Sequence, residues 1–268
     1  MKDFEYIYGP LYSWRLGVSL GVDPLSLKEK ICNYDCVYCQ LGKTSRLTCQ
    51  RKEFVPTDKI LHEIKSLPDL FIDYFTFSGR GEPTLAKNLG EMIAALRQIR
   101  KEKIAVITNS SLMGEKDVRR DLMLADYVSA KLDGFSQEDF EDVDGPATGI
   151  KFENILKGLL EFRREFQGTL ALQIMFIERN KHSADQLARL ARAIRPDEVQ
   201  LNTPTRPCAA RALSPVEMKE ICHYFEGMNL NCVYDKTFQC VQPLNQFQTA
   251  RRHGNFQKSF LKSLSSLR

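Results

Sequence analysis

Two alternating patterns of apolar and polar residues organise this chain. Short apolar stretches rich in β-branched residues predict strands, and the longer segments between them, with apolar residues every three or four positions, predict helices. We predict strands over 15–22, 72–77, 103–108, 126–132, 169–177 and 197–202. We predict helices over 57–67, 85–100, 115–124, 151–166, 183–194 and 214–227. Regular alternation of strand and helix favours a parallel sheet built from βα units.

Polar residues at the starts of several segments support these helix boundaries. Thr57 and Ser183 directly precede apolar-periodic segments, and Ser214 is followed by Pro215 and, three residues on, by Glu217. A Ser with a Glu three residues later is the sequence of a capping box, and Pro is common in the first helical position. The sequence therefore predicts helices that begin at these points.

Length and composition favour one large domain. The chain has 268 residues, of which 43% are hydrophobic, and single α/β barrels commonly have about this length. No apolar run reaches the roughly 18 residues of a membrane span, and the first residues lack the basic and then apolar layout of a secretory signal. We expect a soluble, cytoplasmic protein that does not associate with a membrane. Its eight cysteines then serve as reduced thiols or metal ligands rather than as disulfides.

The carboxyl-terminal end differs in charge from the rest of the chain. The net charge is only +4, but no acidic residue follows Asp235. We therefore divide the chain into a main domain over 1–246 and a basic helix or tail over 247–268. This tail has two interpretations, a solvated helix that closes the sheet with an apolar stripe, or a nucleic-acid-binding segment whose aromatic rings stack on bases. The residues concerned are Phe247, Phe256, Phe260, Leu261 and Leu264.

Three closely spaced cysteines are the strongest chemical signal. Cys32, Cys36 and Cys39 place three thiols within eight residues, and a 4Fe-4S cluster needs one ligand for each iron. The fourth iron would keep an open position, which is characteristic of catalytic metal sites. Buried cysteines or a zinc site are the alternatives, although no second CxxC pair supports zinc. The other cysteines are dispersed and have no predicted role: Cys49, Cys208, Cys222, Cys232 and Cys240.

The segment CNYDCVYC resembles the CxxxCxΦC loop of the radical S-adenosylmethionine (radical SAM) superfamily, with Tyr38 as the aromatic residue before the last cysteine. The resemblance implies a 4Fe-4S cluster on the three cysteines and S-adenosylmethionine (SAM) on the open iron. It implies that an electron from the cluster cleaves SAM to methionine and a 5′-deoxyadenosyl radical, which abstracts a hydrogen atom. It also implies a partial (β/α)6 TIM-like barrel, open at one side.

A second segment, SGRGEPTL, follows the strand predicted over 72–77 and looks like the family's GGE motif. Gly79 and Gly81 would let the backbone approach the cofactor closely, and Glu82 would supply a carboxylate to the ammonium group of SAM. Arg80 separates the two glycines, so the motif is GRGE here. On the resemblance, these residues are cofactor-binding candidates together with Tyr38.

Polar residues at the ends of later strands are the remaining candidates. Ser129, Lys131 and Asp133 alternate along one strand and therefore share a face. The resemblance implies that such residues bind the ribose hydroxyls and the methionine carboxylate of SAM, although helix caps or an internal ion pair explain them equally well. We take Lys131 and Arg206 as catalytic candidates. The cofactor-binding candidates at strand ends are Asn109, Ser129, Asp133 and Asn202.

Within the superfamily, the chain is similar to small iron–sulfur oxidoreductases grouped with wyosine-forming tRNA enzymes. Those enzymes use further cysteines near the amino terminus, and this chain has none before Cys32. An activating enzyme that makes a glycyl radical on a partner protein, and an iron–sulfur protein that binds nucleic acid or modifies tRNA, remain alternatives. The resemblance implies an electron donor such as flavodoxin or ferredoxin, and a substrate that is a small molecule, a peptide or RNA.

Overall fold

The computed structural model describes residues 4–235 and 239–253. Its strands are β1 (Ile7–Ser13), β2 (Gly17–Val22), β3 (Ile31–Cys32), β4 (Arg46–Leu47), β5 (Tyr74–Phe77), β6 (Lys103–Thr108), β7 (Tyr127–Lys131), β8 (Thr169–Met175), β9 (Glu198–Asn202) and β10 (Leu230–Cys232). Its helices are α1 (Thr57–Lys65), α2 (Leu89–Ile99), α3 (Lys116–Leu122), α4 (Gln137–Asp144), α5 (Phe152–Glu165), α6 (Ala184–Ile194), α7 (Pro215–His223) and α8 (Gln246–His253). Short 3-10 helices span Pro83–Leu85, Lys181–Ser183 and Val233–Asp235.

Eight strands of the described chain form one curled sheet in the order β1-β2-β5-β6-β7-β8-β9-β10. From β2 to β10 each strand is parallel to its neighbour, whereas β1 is antiparallel to β2. The sheet does not close, because β1 and β10 are its two edges. The predicted partial (β/α)6 TIM-like barrel is therefore confirmed.

All six predicted strands and all six predicted helices are present, with ends shifted by up to four residues. The sequence analysis missed β1, β3, β4, β10 and α4. β1 is interrupted by Gly9-Pro10 and by an irregularity in its pairing with β2, so it lacks a clean alternation. β10 has only three residues, which is too short to give a period.

The two faces of the sheet differ in polarity. The outer face packs apolar residues such as Phe75, Phe77 and Leu172 against the helices, and all three are fully buried. The inner face carries hydrogen-bonded polar pairs. Ser19 Oγ lies 2.7 Å from Thr76 Oγ1, and Ser129 Oγ donates to Gln200 Oε1 at 3.3 Å. Barrel interiors are usually filled by branched apolar side chains, so these polar pairs depart from the usual pattern.

Helix capping agrees with the sequence analysis at one of three positions. Ser214 Oγ accepts a hydrogen bond from Glu217 N, and the Glu217 carboxylate accepts from Ser214 N, which completes the predicted capping box of α7. Thr57 and Ser183 make no capping hydrogen bond. Thr57 is the first residue of α1, where Pro56 occupies the cap position, and its hydroxyl instead accepts from Asn88 Nδ2.

The segment 239–253 covers the exposed edge of β1. Leu244 N donates to Gly9 O at 2.6 Å, and Gly9 N donates to Thr249 Oγ1 at 3.0 Å. Arg252 Nε forms a buried ion pair with Asp23 at 2.8 Å. These contacts are polar, and Phe247 points away with 69% of its surface exposed. The apolar-stripe interpretation is therefore wrong for Phe247.

The other residues of that interpretation, Phe256, Phe260, Leu261 and Leu264, lie outside the described residues. The division of the chain near residue 246 stays a prediction. Over the described ranges, the helices are too short or too polar to cross a bilayer.

Candidate cofactor site

The three motif cysteines lie in one short, tightly folded loop. Cys32 ends β3, which pairs with β4, and Cys39 N donates to Cys36 O at 3.0 Å in a tight turn. The buried Lys30 ammonium donates to Gly42 O at 2.7 Å, so its charge lies beside the loop and holds its two ends together. All three cysteines are half-buried free thiols.

The carboxyl-terminal end of α4 fixes the backbone of this loop. Asp35 N donates to Asp144 O at 3.0 Å and Val37 N donates to Val143 O at 3.1 Å. The last four carbonyls of a helix have no partner within the helix. The cysteine loop supplies donors to two of them, so the loop and the helix end depend on each other.

Below the loop, the Tyr38 hydroxyl lies within a buried polar cluster. It donates to Asp144 Oδ1 at 2.9 Å and is also hydrogen-bonded to Asp133 and Lys131. Lys131 Nζ lies 3.0 Å from Asp133 Oδ2, and the Cys36 thiol donates to Asp144 Oδ1 at 3.1 Å. Three predicted site residues and one predicted ligand therefore meet around Asp144, a residue that the sequence analysis did not select.

Burial and charge determine the protonation states in this cluster. Burial, with the neighbouring Asp133, raises the pKa of Asp144 to about 7. Burial alone would lower the pKa of Lys131, but Asp133, Cys36 and Asp144 together raise it. Lys131 therefore keeps its proton and acts as a cation and hydrogen-bond donor, not as a nucleophilic amine.

Glu82 ties the ends of β5 and β6 together. Its Oε1 accepts from Thr108 Oγ1 at 2.6 Å and from Thr84 Oγ1 at 2.7 Å, and its Oε2 accepts from Asn109 N at 2.7 Å. Burial nevertheless raises the pKa of Glu82. Asn109 continues the connection, because its Nδ2 donates to Asn33 Oδ1 at 2.7 Å and lies 3.8 Å from Cys32 Sγ.

The two motif glycines allow close approach of protein groups. A Cβ at Gly81 would lie 1.8 Å from Ile31 O, and a Cβ at Gly79, whose φ is +147°, would lie 2.3 Å from the carboxyl carbon of Asp23. Gly81 thus lets β3, with Cys32, lie directly against the strand-end turn. The role of these glycines toward a cofactor stays a prediction.

The remaining candidates lie at different depths. Ser129 is fully buried in the barrel, where its hydroxyl donates to Gln200. Asn202 lies at the end of β9 with 8% of its surface exposed, and its side-chain oxygen has no hydrogen-bond partner within the described residues. Arg206 donates to Gln40, just beyond Cys39. The structure therefore brings Arg206 to the cysteine loop, but places Ser129 deeper.

A cavity of about 710 Å³ opens beside the cysteine loop. Cys36 and Cys39 line one side, and the segments that follow β8 and β9 line the other, including Cys208. Within the described ranges, no three Cys, His, Asp or Glu side chains converge as they would around a single metal ion. A 4Fe-4S cluster does not need such a group, because each thiolate binds a different iron.

Comparison with known proteins agrees with this arrangement. The model of the radical SAM superfamily matches residues 30–191, which include the cysteine loop and the strand ends through β8. The chain belongs to the radical SAM superfamily. Radical SAM proteins use a 4Fe-4S cluster and SAM as cofactors.

Relatives and solved structures extend this finding. A UPF0026 protein from Synechocystis sp. is 42% identical over 205 residues, which are 76% of this chain and 77% of that protein. A UPF0026 protein from Methanocaldococcus jannaschii is 35% identical, over 80% of this chain and 68% of that protein. TYW1 with a lysine–pyruvate adduct bound has a TM-score of 0.61 at 16% identity, over 78% of this chain and 74% of TYW1. Native anSMEcpe with bound AdoMet also has a TM-score of 0.61 at 16% identity, over 81% of this chain and 64% of that chain.

The donor set of this radical SAM chain fits an iron–sulfur cluster. Burial, with the nearby Glu82, raises the pKa of Cys32 to about 12, and burial, with Asp144, raises the pKa of Cys36. Such thiols ionise only beside strong positive charge, which iron supplies on binding. The three soft sulfur donors suit a 4Fe-4S cluster, and the cavity lies directly beside two of them, Cys36 and Cys39.

Several residues of the candidate site escaped the sequence analysis. Asp144 and Asn180 are buried, and Asn180 Nδ2 donates to Asp133 O at 2.9 Å. Asn33 contacts both Asn109 and Ser111 from within the cysteine loop. Asn33 could have been selected from its position inside the cysteine motif. Asp144 had no such signal, because it lies in a helix that the apolar periodicity did not reveal.

Proposed function

We propose that this chain is a radical SAM enzyme in which Cys32, Cys36 and Cys39 bind the 4Fe-4S cluster and the adjacent cavity receives SAM. The presentation of three thiols in one loop, fixed by α4 beside a 710 Å³ cavity, carries this proposal. When bound, the reduced cluster and SAM supply one-electron cleavage to methionine and a 5′-deoxyadenosyl radical, which abstracts a hydrogen atom from the substrate. We describe the overall reaction as oxidoreductase-type.

The polar strand ends then position SAM. Glu82 Oε2 accepts one hydrogen bond from Asn109 N and retains a lone pair for an ammonium donor. The unpartnered oxygen of Asn202 provides a second acceptor. Lys131 keeps its positive charge at the barrel mouth and attracts a carboxylate. Glu82 and Lys131 are held by hydrogen bonds to other buried residues, so these two side chains lose little conformational entropy when a ligand binds.

A reductant must reach the cluster from outside. Lys43 and Arg46 are exposed on the cysteine loop, so we infer docking of an acidic electron-transfer protein such as flavodoxin or ferredoxin. The eight free thiols fit the reducing cytoplasm as the site of action.

The experiment compares metal content and SAM cleavage after anaerobic reconstitution and reduction with dithionite. We expect about four irons and four sulfides per chain in the wild type, with formation of 5′-deoxyadenosine from SAM. Cys32→Ala, Cys36→Ala and Cys39→Ala should each lose most of the iron and all of the cleavage. Cys49→Ala, at an exposed thiol outside the loop, is the matched control and should behave as wild type. Full iron content in the triple alanine variant contradicts the proposal.

A further inference from the structure

The side chain of Asn109, directly after β6, is held in one orientation beside the cysteine loop. Its Oδ1 accepts hydrogen bonds from Ser111 N at 3.1 Å and from Ser111 Oγ at 2.6 Å. Its Nδ2 donates to Asn33 Oδ1 at 2.7 Å and to Cys32 Sγ at 3.8 Å. Because a backbone N–H can only donate, the bond from Ser111 N identifies the amide oxygen. The amide nitrogen must therefore face Cys32.

These contacts use the full hydrogen-bonding capacity of the Asn109 amide. An amide nitrogen carries two hydrogens and an amide oxygen has two lone pairs, and each of them is engaged. Ser111 Oγ also accepts from Asn33 Nδ2 at 2.6 Å, which closes a cycle of hydrogen bonds between three side chains. The cycle fixes the direction in which the Asn109 N–H groups point.

The turn that follows Asn109 keeps an unfavourable backbone conformation. Ser110 has φ +67°, in the left-handed region that residues other than glycine seldom adopt. Its Oγ is buried without a hydrogen-bond partner in the described ranges. The backbone of Asn109 itself is fixed by Glu82, whose Oε2 accepts from Asn109 N at 2.7 Å. Strained backbone of this kind is concentrated at functional sites, which points to a role for the turn beyond connecting β6 to α3.

Cys32 and Cys36 differ in the groups that their sulfur atoms contact. Cys36 Sγ donates to the Asp144 carboxylate at 3.1 Å, whereas Cys32 Sγ accepts from the Asn109 amide. An N–H group stabilises negative charge on the atom that accepts its hydrogen bond. A reduced 4Fe-4S cluster carries one more negative charge than the oxidised cluster, and hydrogen bonds to its sulfur atoms are among the factors that set its reduction potential. A donor at Cys32 therefore favours the reduced state.

We propose that Asn109 is a positioning residue that donates a hydrogen bond to the Cys32 thiolate and thereby raises the reduction potential of the bound cluster. The inference rests on the proposed function, because it requires a cluster on Cys32. It adds a determinant of the electron-transfer step, since a higher potential lets an external donor reduce the cluster more readily. Asn33 and Ser111 contribute by orienting the Asn109 amide.

The experiment measures the reduction potential of the reconstituted, full-length protein without SAM, by electron paramagnetic resonance of the reduced cluster at fixed solution potentials and constant pH. Asn109→Leu removes the amide and keeps a similar volume. Asn109→Asp keeps an oxygen that accepts from Ser111 but replaces the N–H donors with a charged oxygen. Ser111→Ala is the matched control, because it breaks the same cycle without removing the donor to sulfur. Iron content and Tm are measured on every preparation.

We expect the equilibrium constant for reduction to fall about tenfold in Asn109→Leu, which lowers the potential by about 59 mV for one electron. It should fall further in Asn109→Asp, because of the added negative charge. Ser111→Ala should keep the wild-type potential although its Tm falls. The iron–thiolate stretching frequencies in resonance Raman spectra should rise in the Asn109 variants alone, since a hydrogen bond to a thiolate weakens its bond to iron.

Equal potentials and Raman frequencies in wild type and the Asn109 variants overturn the inference. An equal shift in Ser111→Ala, or loss of iron from both Asn109 variants, overturns it too, because Asn109 would then serve only to hold the loop in place. Wild type that holds no iron overturns the proposed function itself. Wild type with full iron content and a potential insensitive to Asn109 overturns only the inference about this residue.

Discussion

At the scale of single residues, several site candidates are hydrogen-bonded to the cysteine loop and to each other. Asn109 contacts Cys32 and Asn33, while Tyr38 joins Asp133 to Asp144. The same polar groups therefore hold the cysteine loop in place. Sequence patterns identify the residue types but not which partner each side chain has.

Gly81→Ala tests this packing at one atom. The added Cβ would lie 1.8 Å from Ile31 O, a backbone atom, so β3 must move and carry Cys32 with it. We expect iron retention after reconstitution to fall at least tenfold, measured by iron analysis and by the cluster's visible absorption. Gly114→Ala is the matched control, because its Cβ would come no closer than 3.4 Å to its nearest neighbour, Asn154 O. Normal iron content in Gly81→Ala would contradict the prediction.

At the scale of elements, α4 has the largest influence on the site. Its N-cap is Ser136, whose side chain accepts from Asp139 N, and its C-cap is Gly145, which has a left-handed conformation with φ +51°. Its final carbonyls receive the amides of the cysteine loop. Its segment QEDFEDVD is acidic and short, with few apolar positions, so periodicity does not reveal it. The stop at Gly145 is what directs those carbonyls to the loop.

Removing the caps of two different helices separates stability from cofactor retention. Ser136→Ala in α4 and Ser214→Ala in α7 each remove an observed side-chain cap, and each should cost about 1 kcal/mol of unfolding free energy. Of these two helices, α4 is the one whose described residues are hydrogen-bonded to the cysteine loop. We therefore expect faster iron loss to a chelator in Ser136→Ala alone, with similar urea midpoints for the two variants. Equal rates of iron loss would show that α4 does not hold the loop.

At the scale of the molecule, residues distant in sequence join the amino-terminal hairpin to the segment 239–253. Asp23 follows β2 and pairs with Arg252 of α8, with both side chains almost fully buried at 1% and 0% exposure. Asp23 also accepts from Arg80 N in the GRGE segment. The carboxyl-terminal helix therefore connects the β1 edge to the strand end that carries Glu82.

Arg252→Ala tests this connection. It leaves the Asp23 carboxylate buried without its cation, which should destabilise the protein by about 3–5 kcal/mol, measured by urea unfolding at pH 7. Arg189→Ala, which removes an exposed partner of Asp185, should cost less than about 1 kcal/mol. Equal effects of the two variants would show that the buried pair contributes no more than a surface pair.

The sequence alone determined the order of the longer strands and helices from β2 to α7, without β3, β4 and α4, and it determined the family and the cofactors, because these depend on local periodicity and on a motif with fixed spacing. It did not determine the edges of the sheet, since β1 and β10 are stabilised by pairing with distant segments rather than by their own patterns. Of the site, the cysteines, Tyr38, Glu82 and Asn109 were selected from local motifs and strand ends, and their binding roles stay predictions. The place of Asp144 in the site was decided only by the tertiary structure, because burial and hydrogen-bond partners depend on residues far apart in the chain.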